Sequence, residues 1–228
     1  MLIFLDIKTT GYEKEDKICS LGVLFFENRS CTSSLYELIN EGKKIPSKAS
    51  ALHNITNEMI QGKPALRESE IYKYLQIHNK AENILIMHNA DFVLPYLKDV
   101  GLKWYGKIID TQKVLKHHIP ECESFSLEFI RYELKLYTKE EPHKQLCGIK
   151  DAFVVKLLFD YLLEELSQEM MQELSFKNVL LEKFPFGKYA GRYIEEIAEI
   201  DRSYLLWMLS LESLDDDLAY SLEYYLQG

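Results

Sequence analysis

Short apolar runs alternate with polar, turn-rich segments along the first part of the chain. Leu2 to Asp6 is an apolar run that ends in an acid, and a turn signal follows at Gly11, which predicts a short buried strand opening into a loop. Ile18 to Phe26 and Cys31 to Asn40 predict two further strands separated by a tight turn. Together these segments predict a three-stranded meander at the start of the chain.

The middle of the chain combines shorter strand patterns with helical ones. Ile84 to Met87 and Lys107 to Asp110 are compact segments that predict strands. Ser69 to Asn79 and Ser124 to Leu136 predict helices. A longer helix is predicted from Asp151 to about Gln172, and a boundary between two parts of the chain is expected near residue 177.

Asp6 and Lys8 stand at the end of the first predicted strand. Because side chains alternate along a strand, these two leave the same face about 7 Å apart. That geometry suits two groups that share one ion. The end of this strand is therefore the first candidate site.

Two segments resemble motifs of the DEDDh 3′-to-5′ exonucleases. The first motif of that family, Asp-x-Glu-Thr-Thr-Gly, matches Asp6 to Gly11, with Lys8 at the Glu position. The second motif, His-Asn-Ala-x-Phe-Asp, matches His88 to Phe92, with Val93 at the last position. The two matches occur in the order that the family has.

The third motif of the family is a His, four residues, and then Asp-Ala at the start of a helix, and it fits the sequence in two registers. In the preferred register Asp151 is the acid, Leu146 takes the His position, and the apolar spacing of the following helix is kept. In the other register His143 is kept and Gly148 replaces the acid, but the apolar spacing is lost. The sequence leaves both registers open.

Two further segments extend the resemblance. Pro46 to Thr56 resembles the connector of the family, with His53 in its apolar-His pair, and Phe184 to Ile194 resembles the start of an appendage found in relatives of exodeoxyribonuclease X. The resemblance implies an RNase H-like α/β fold over residues 1–177, in which helices flank a five-stranded mixed sheet. It also implies a small α+β appendage over residues 178–228.

The appendage is expected to contain a tight hairpin with two helices behind it. Trp207 and the face from Leu205 to Leu209 are expected to be buried. Lys188 and Arg192 in the hairpin are interpreted either as solvated charges or as nucleic-acid contacts. The acidic helices beside them favour the first interpretation.

The resemblance also implies a catalytic arrangement. Such enzymes bind two divalent ions with four carboxylates, and a His activates the attacking water. The corresponding positions here are Asp6, Lys8, Val93 and Asp151, with Leu146 in place of the His. Two acids remain, and the formal charge of the site rises by about 3 relative to four acids, which disfavours a divalent ion. We therefore expect no cofactor, with Mg²⁺ or Mn²⁺ at Asp6 and Asp151 only if the site is active.

In the family pattern, the Thr-Thr-Gly loop and the connector His lie beside the 3′-terminal nucleotide. The candidate nucleic-acid-binding residues are therefore Thr9, Thr10, Gly11, His53 and Asn89. The leading functional hypothesis is a catalytically degenerate exonuclease homologue, a pseudoenzyme that acts as a nucleic-acid-binding or partner-binding module in DNA metabolism. The expected partners are single-stranded DNA or a nucleic-acid 3′ end, and a protein of DNA replication or repair. The alternatives are an active metal-dependent exonuclease with a rearranged site, and a structural interaction protein without affinity for nucleic acid.

Composition restricts where nucleic acid can bind. The 228 residues carry a formal net charge of −9, which argues against a surface that neutralises phosphates all over, so any DNA site must be local. No apolar run approaches the roughly 20 residues that span a bilayer, and the first residues do not resemble a signal segment, so a cytoplasmic protein without a membrane partner is expected. The four cysteines form no C-x-x-C pair, which indicates neither a zinc site nor a disulfide framework.

Lys8 supports one further prediction. If Asp6 and Asp151 converge at the end of the strand, they form a like-charge pair that needs a cation. Lys8 leaves the same face as Asp6 and is long enough to reach between the two acids. We predict its ammonium within salt-bridge distance of Asp6, Asp151 or both, with Val93 and Leu146 on the apolar side of the same pocket.

Overall fold

The computed structural model describes residues 1–139, 148–211 and 214–227. The chain divides into two compact units. Unit 1 comprises Met1–Leu115 and Glu123–Ser175, and unit 2 comprises Lys116–Cys122 and Phe176–Gly228. No helix in the described ranges is long and apolar enough to cross a membrane.

Unit 1 is built on one sheet. Its strands, within the described residues, are β1 (Leu2–Thr9), β2 (Ile18–Glu27), β3 (Ser30–Leu38), β4 (Ile84–Met87) and β5 (Lys107–Asp110). Their order across the sheet is β3, β2, β1, β4, β5. β1 pairs antiparallel with β2 and parallel with β4, and β5 runs parallel to β4. The predicted five-stranded mixed sheet is therefore confirmed.

β1 lies in the middle of the sheet and is packed on both faces. Ile3 and Leu5 are almost fully buried in the main apolar cluster of unit 1. Phe4 points to the opposite face, where its ring lies 5.4 Å from the Phe159 ring between centroids. An uninterrupted apolar run is typical of a strand buried on both faces, and here it ends at Asp6.

Helices flank this sheet. In chain order up to residue 174 their bounds are α1 (Ser47–His53), α2 (Asn57–Ile60), α3 (Glu70–Ile77), α4 (Ala90–Asp99), α5 (Thr111–His118), α6 (Leu127–Glu133), α7 (Lys150–Leu162) and α8 (Gln168–Leu174). The prediction of one helix from Asp151 to Gln172 is wrong, because the chain leaves the helix after Leu162. The Ser167 side chain then accepts a hydrogen bond from Met170 N and caps a new helix.

α7 supplies the helical side of the candidate site. Its buried residues Ala152, Val155 and Leu158 follow the spacing of a helix with one apolar face. This helix packs against β1 and β2. The packing brings Asp151, in the first turn of α7, to the carboxyl end of β1.

Unit 2 has an apolar core of its own. Its helices beyond residue 176 are α9 (Ile194–Ile200), α10 (Arg202–Leu209) and α11 (Asp216–Gln227). The buried residues of this core include Phe184, Ile194, Ile197, Leu205, Met208, Leu218 and Leu222. At the predicted hairpin, backbone hydrogen bonds join Phe184 to Gly191 and Arg192 and close a turn. Within the described residues, the β-structure there is a single bridge between Lys183 and Tyr193.

The expected burial of the α10 face is wrong for Trp207. Leu205 and Met208 are buried, whereas Leu206 and Trp207 are each 55% exposed. A helix that meets a core on one side buries residues three or four positions apart, and Leu205 and Met208 have that spacing. Trp207 therefore lies on the exposed face of α10.

Candidate active-site groove

The parallel strands β1, β4 and β5 end at the same edge of unit 1, and a groove with a cavity volume of about 850 Å³ opens there. The residues lining it include Asp6, Lys8, Thr9, Gly11, Tyr12, Tyr36, Leu52, His53, His88, Asn89, Phe92, Val93, Gly148 and Asp151. The groove thus brings together residues from the three motifs and the connector.

Lys8 lies between the two acids of the groove. Its Nζ is 2.9 Å from Asp6 Oδ2 and 2.5 Å from Asp151 Oδ2. The Lys8, Asp6 and Asp151 side chains are 31%, 21% and 31% exposed. The predicted contact of the ammonium with both acids is confirmed. These three residues are called the ionic triad below.

The ionic triad contains one ammonium and two carboxylates, so its negative charge is not fully balanced. Removal from water raises the pKa of Asp6 to about 6, although the Lys8 ammonium acts to lower it, and the Asp151 carboxylate raises it further. Burial acts to lower the pKa of Lys8, but the attraction of Asp6 and Asp151 outweighs it and raises that pKa above its usual value. Lys8 is therefore a permanent cation at neutral pH.

Val93 stands where the second motif of the family has its acid. It is 4% exposed, belongs to the main apolar cluster, and lines the groove, so it presents methyl groups where an oxygen ligand is needed. Asp91, two residues earlier, is not among the lining residues, and its carboxylate lies 3.8 Å from Lys113 Nζ. Leu146 and His143, the two candidates for the general-base position, lie outside the described residues.

The geometry around Gly148 bears on the register of the third motif. Gly148 has φ = +92°, a conformation that favours glycine, and a Cβ at this position would lie 2.4 Å from the Tyr36 ring. An acid there would need the Tyr36 ring to move. Asp151, by contrast, already meets Lys8. The structure thus brings the acid of the preferred register into the groove.

The side chains of the groove can be compared with the ligands that two divalent ions require. A two-ion site needs several anionic oxygens around each cation. Here the two carboxylates already hold the Lys8 ammonium, and Val93 has no donor. In the described part of the chain, no group of three or more His, Cys, Asp or Glu residues is placed to hold a metal. The residues present therefore do not fit a two-ion centre.

His53 fixes the backbone at the end of β1. Its Nδ1 accepts a hydrogen bond from Ile55 N at 3.1 Å, so Nε2 carries the ring hydrogen and donates to the Thr9 carbonyl at 3.2 Å. Burial, reinforced by the nearby Lys8 ammonium, lowers the pKa of His53. The Thr9 hydroxyl in turn donates to the Gly11 carbonyl at 2.6 Å. His53 is thus a neutral ring that ties the connector to the Thr-Thr-Gly loop.

Asn89 fixes the neighbouring side of the groove. It has the left-handed backbone conformation, with φ = 69°, and its side chain accepts a hydrogen bond from Phe92 N to cap α4. Its own backbone N–H donates to Asp110 Oδ1 at 2.9 Å. Thr9, Gly11, His53 and Asn89 are called the groove wall below.

Thr10 differs from the other candidate nucleic-acid-binding residues. Its side chain is buried, and its hydroxyl donates to Asp16 Oδ1 at 2.7 Å and accepts from Lys17 N at 3.1 Å. It is not among the residues that line the groove. Thr10 therefore closes the loop between β1 and β2, and we leave it out of the groove wall.

Asp110 is a structural residue of the site whose role the sequence reasoning missed. Its buried carboxylate accepts hydrogen bonds from the backbone N–H groups of Asn89, Ala90 and Gln112 at 2.8 to 2.9 Å. These donors lie where α4 and α5 begin, so one acid orders both helix starts. The signal in the sequence is an Asp-Thr pair whose Asp ends a predicted strand.

Tyr12 and Leu52 also line the groove and were not singled out by their sequence context. They are 70% and 63% exposed. The Tyr12 ring lies 5.7 Å from the Phe92 ring between centroids. These apolar groups offer surfaces on which a planar base could stack.

Comparison with known protein families shows to which family the chain belongs. The exonuclease family model matches residues 3–159. The chain belongs to the exonuclease family. A second model, the exodeoxyribonuclease X-like C-terminal region, matches residues 184–210. Both parts of the resemblance inferred from the motifs are confirmed.

Individual relatives agree with this assignment. The chain is 25% identical to Exodeoxyribonuclease 10 of Escherichia coli (strain K12) over 236 aligned positions, which cover 100% of both chains. It is 27% identical over 188 positions to the DNA polymerase III subunit epsilon of Buchnera aphidicola, covering 74% of this chain and 76% of that one. A solved structure of exonuclease X in complex with 5′ overhanging duplex DNA superimposes with a TM-score of 0.57 at 20% identity, covering 77% of this chain and 99% of that one. The predicted RNase H-like fold of an exonuclease is confirmed.

Proposed function

We propose that this chain is a catalytically degenerate exonuclease homologue that uses the groove of unit 1 to bind a nucleic-acid 3′ end in DNA metabolism. The observation that carries the proposal is the Lys8 ammonium, 2.9 Å and 2.5 Å from the two remaining acids. A covalently held cation at this point repels a divalent ion. Catalysis that depends on two metal ions is therefore disfavoured.

Hydrogen bonds between protein groups hold the wall of the groove, which supports a binding role. Hydrogen bonds within the protein fix Thr9, His53 and Asn89, so none of these residues needs an ion to hold its position. The exposed Tyr12 ring stands beside them. Nucleic acid is the ligand class that the relatives' activities and the DNA in the exonuclease X complex support.

The charge of the ionic triad suggests which 3′ end is preferred. With all three groups ionised, one ammonium and two carboxylates give a formal charge of −1. A 3′-phosphate would bring further negative charge to this point, whereas a 3′-hydroxyl would not. We propose that the groove binds 3′-hydroxyl ends more tightly than 3′-phosphorylated ends.

The partners in this proposal are single-stranded DNA or another nucleic-acid 3′ end, and a protein of DNA replication or repair, in the cytoplasm. The similarity to a DNA polymerase III subunit supports a replication partner. The proposal also keeps the division of the chain near residue 177. The end of unit 1 at Ser175 supports this division.

A single-stranded oligonucleotide labelled at its 5′ end tests both parts of the proposal. We expect the chain to bind it in a salt-sensitive manner, to bind a 3′-phosphorylated version more weakly, and to leave its length unchanged in Mg²⁺ or Mn²⁺. The Asp6→Ala variant is the control for contaminating nucleases. Metal-dependent shortening that Asp6→Ala abolishes would overturn the proposal.

That outcome would support the second candidate function, an active metal-dependent exonuclease with a rearranged site. The similarity to Exodeoxyribonuclease 10 over the full length of both chains favours this candidate. If neither binding nor shortening is observed, the remaining candidate is a structural interaction protein without affinity for nucleic acid.

A further inference from the structure

Unit 2 carries exposed aromatic rings and cations that the groove does not involve. We propose that a surface of unit 2, called the aromatic patch, binds the bases and phosphates of single-stranded nucleic acid away from its ends. The aromatic patch consists of Lys188, Tyr189, Arg192, Tyr204 and Trp207. This inference goes beyond the proposed function, because it needs neither the groove nor a 3′ end.

The rings of the aromatic patch form a continuous row. Tyr189 and Tyr204 meet edge to face, with centroids 5.0 Å apart, and the Tyr204 centroid lies 5.6 Å from that of Trp207. The buried Phe184 ring supports the row from the core side, 5.8 Å from Tyr204. Trp207, at the end of the row, is 55% exposed. Tyr189 and Tyr204 are half-buried against the core of unit 2, so the ring most accessible to a stacked base is that of Trp207.

Two cations lie on the same rings. Lys188 Nζ is 4.5 Å from the Tyr189 centroid and 5.9 Å from that of Tyr204. The Arg192 guanidinium lies 5.7 Å from the Tyr189 centroid. The cations therefore stand within a few ångströms of the row on which bases would stack, and the phosphates of a stacked strand would pass close to them.

Asp201 holds this arrangement in place. Its carboxylate accepts hydrogen bonds from the Tyr189 hydroxyl at 2.7 Å, Lys188 Nζ at 3.0 Å and the Ser203 hydroxyl at 2.8 Å. These bonds, with that from Tyr189 the strongest, hold the pKa of Asp201 well below its usual range. The Tyr204 hydroxyl also accepts a hydrogen bond from Lys188 N at 3.2 Å. The rings and the ammonium are thus ordered before any ligand arrives, which lowers the entropy lost on binding.

The turn carries two cations, and each is paired with an acid that lies outside the turn, Asp201 or Glu196. Residues 184–193 contain two cations and no acid, in a chain whose formal net charge is −9. The Lys188 side chain is 61% exposed, and its ammonium, which has three donors, meets Asp201 and the Tyr189 hydroxyl. Arg192 pairs with Glu196 at the surface, where ion pairs are weak, so a phosphate can replace the carboxylate.

The comparisons assign no ligand to this surface. All five residues lie within the segment that matches the exodeoxyribonuclease X-like C-terminal model. The superposition on exonuclease X accounts for 99% of that chain but 77% of this one.

A circular oligo(dT) and its oligo(rU) counterpart test the proposal with the full-length chain, because a circle has no 3′ end for the groove. We expect either circle to quench the fluorescence of Trp207 saturably, with weaker binding at higher salt. Trp104, the second tryptophan, is 9% exposed and should contribute little to the change. Binding by one circle and not the other identifies DNA or RNA as the ligand.

Variants of the exposed face of α10 provide the control. With a fluorescent label on the circle as the readout, Trp207→Ala should weaken binding about tenfold, and Trp207→Phe should recover most of the loss. Leu206→Ala is the matched control, because Leu206 is its neighbour with the same 55% exposure, and it should leave binding within about twofold. Equal losses for Trp207→Ala and Leu206→Ala would contradict the proposal. An unchanged fluorescence would also contradict the proposal and would assign the patch to a protein partner. Binding of a linear oligonucleotide in that case would still support the proposed binding of a 3′ end in the groove.

Discussion

The ionic triad and the groove wall lie side by side in one groove, yet they differ in what holds them. The triad is held by charge, since the Lys8 ammonium joins two carboxylates that would otherwise repel each other. The wall is held by hydrogen bonds between side chains and backbone: His53 Nε2 donates to the Thr9 carbonyl, and Phe92 N donates to Asn89 Oδ1. The cation of this site can therefore change without altering the shape of the surface beside it. In the proposed function, the wall can bind a nucleic-acid 3′ end whatever cation the triad holds.

The largest effect is expected from Lys8→Glu, which replaces the cation of the triad by a third anion. We expect the free energy of unfolding to fall by about 2 to 4 kcal/mol, because the like charges are partly removed from water. Urea denaturation measures this fall. Adding Mn²⁺ should restore part of the lost stability in the variant and none in the parent chain.

Lys156→Glu is the matched control for that change. Lys156 also forms an ion pair at 2.5 Å, with Asp160, but on α7 and away from the groove. The same change in charge there should lower stability by less than the change at Lys8, because Lys156 meets one carboxylate and Lys8 meets two. Equal effects of the two variants would mean that the triad has no special role.

The wall is tested by Asn89→Ala and Asn89→Gly. Both variants lose the cap of α4, but only alanine is strained at φ = 69°. We expect Asn89→Ala to lower the free energy of unfolding by about 1 to 2 kcal/mol and Asn89→Gly by a few tenths. Binding of a labelled 3′ end should weaken more for alanine than for glycine. Equal stability of the two variants would show that the backbone of the wall is not held in this conformation.

The smallest expected effect is a pH dependence that belongs to the triad alone. Between 3.8, the ordinary pKa of the group, and the folded value of about 6, the folded chain keeps a proton on Asp6 that the unfolded chain has released. This group therefore makes the free energy of unfolding fall as the pH rises through that window. Asp6→Asn removes this contribution. We expect the parent to lose about 1 kcal/mol more than the variant over the window, and parallel profiles would contradict the raised pKa.

Local regularities made much of the site predictable from the sequence. The alternation of side chains along β1 placed Lys8 beside Asp6, and the apolar spacing after Asp151 predicted the helix that brings the second acid to the same point. The burial of Thr10 could not be predicted in this way, because it depends on Asp16, which a loop brings back to it. The role of Asp110 likewise depends on which strands become neighbours. The break after Leu162 depends on the cap that Ser167 provides for the next helix. The exposure of Trp207 depends on which face of α10 meets the core. Apolar spacing alone shows neither feature.

Calorimetric titration with Mn²⁺ tests the central claim most directly, because it asks whether the Lys8 ammonium has taken the place of the metal. The account predicts no binding heat for the parent chain, and measurable Mn²⁺ binding for the double variant Lys8→Glu/Val93→Asp, which supplies the two missing carboxylates. Lys156→Glu should behave like the parent. Binding of Mn²⁺ to the parent chain that disappears in Asp6→Ala would contradict the account.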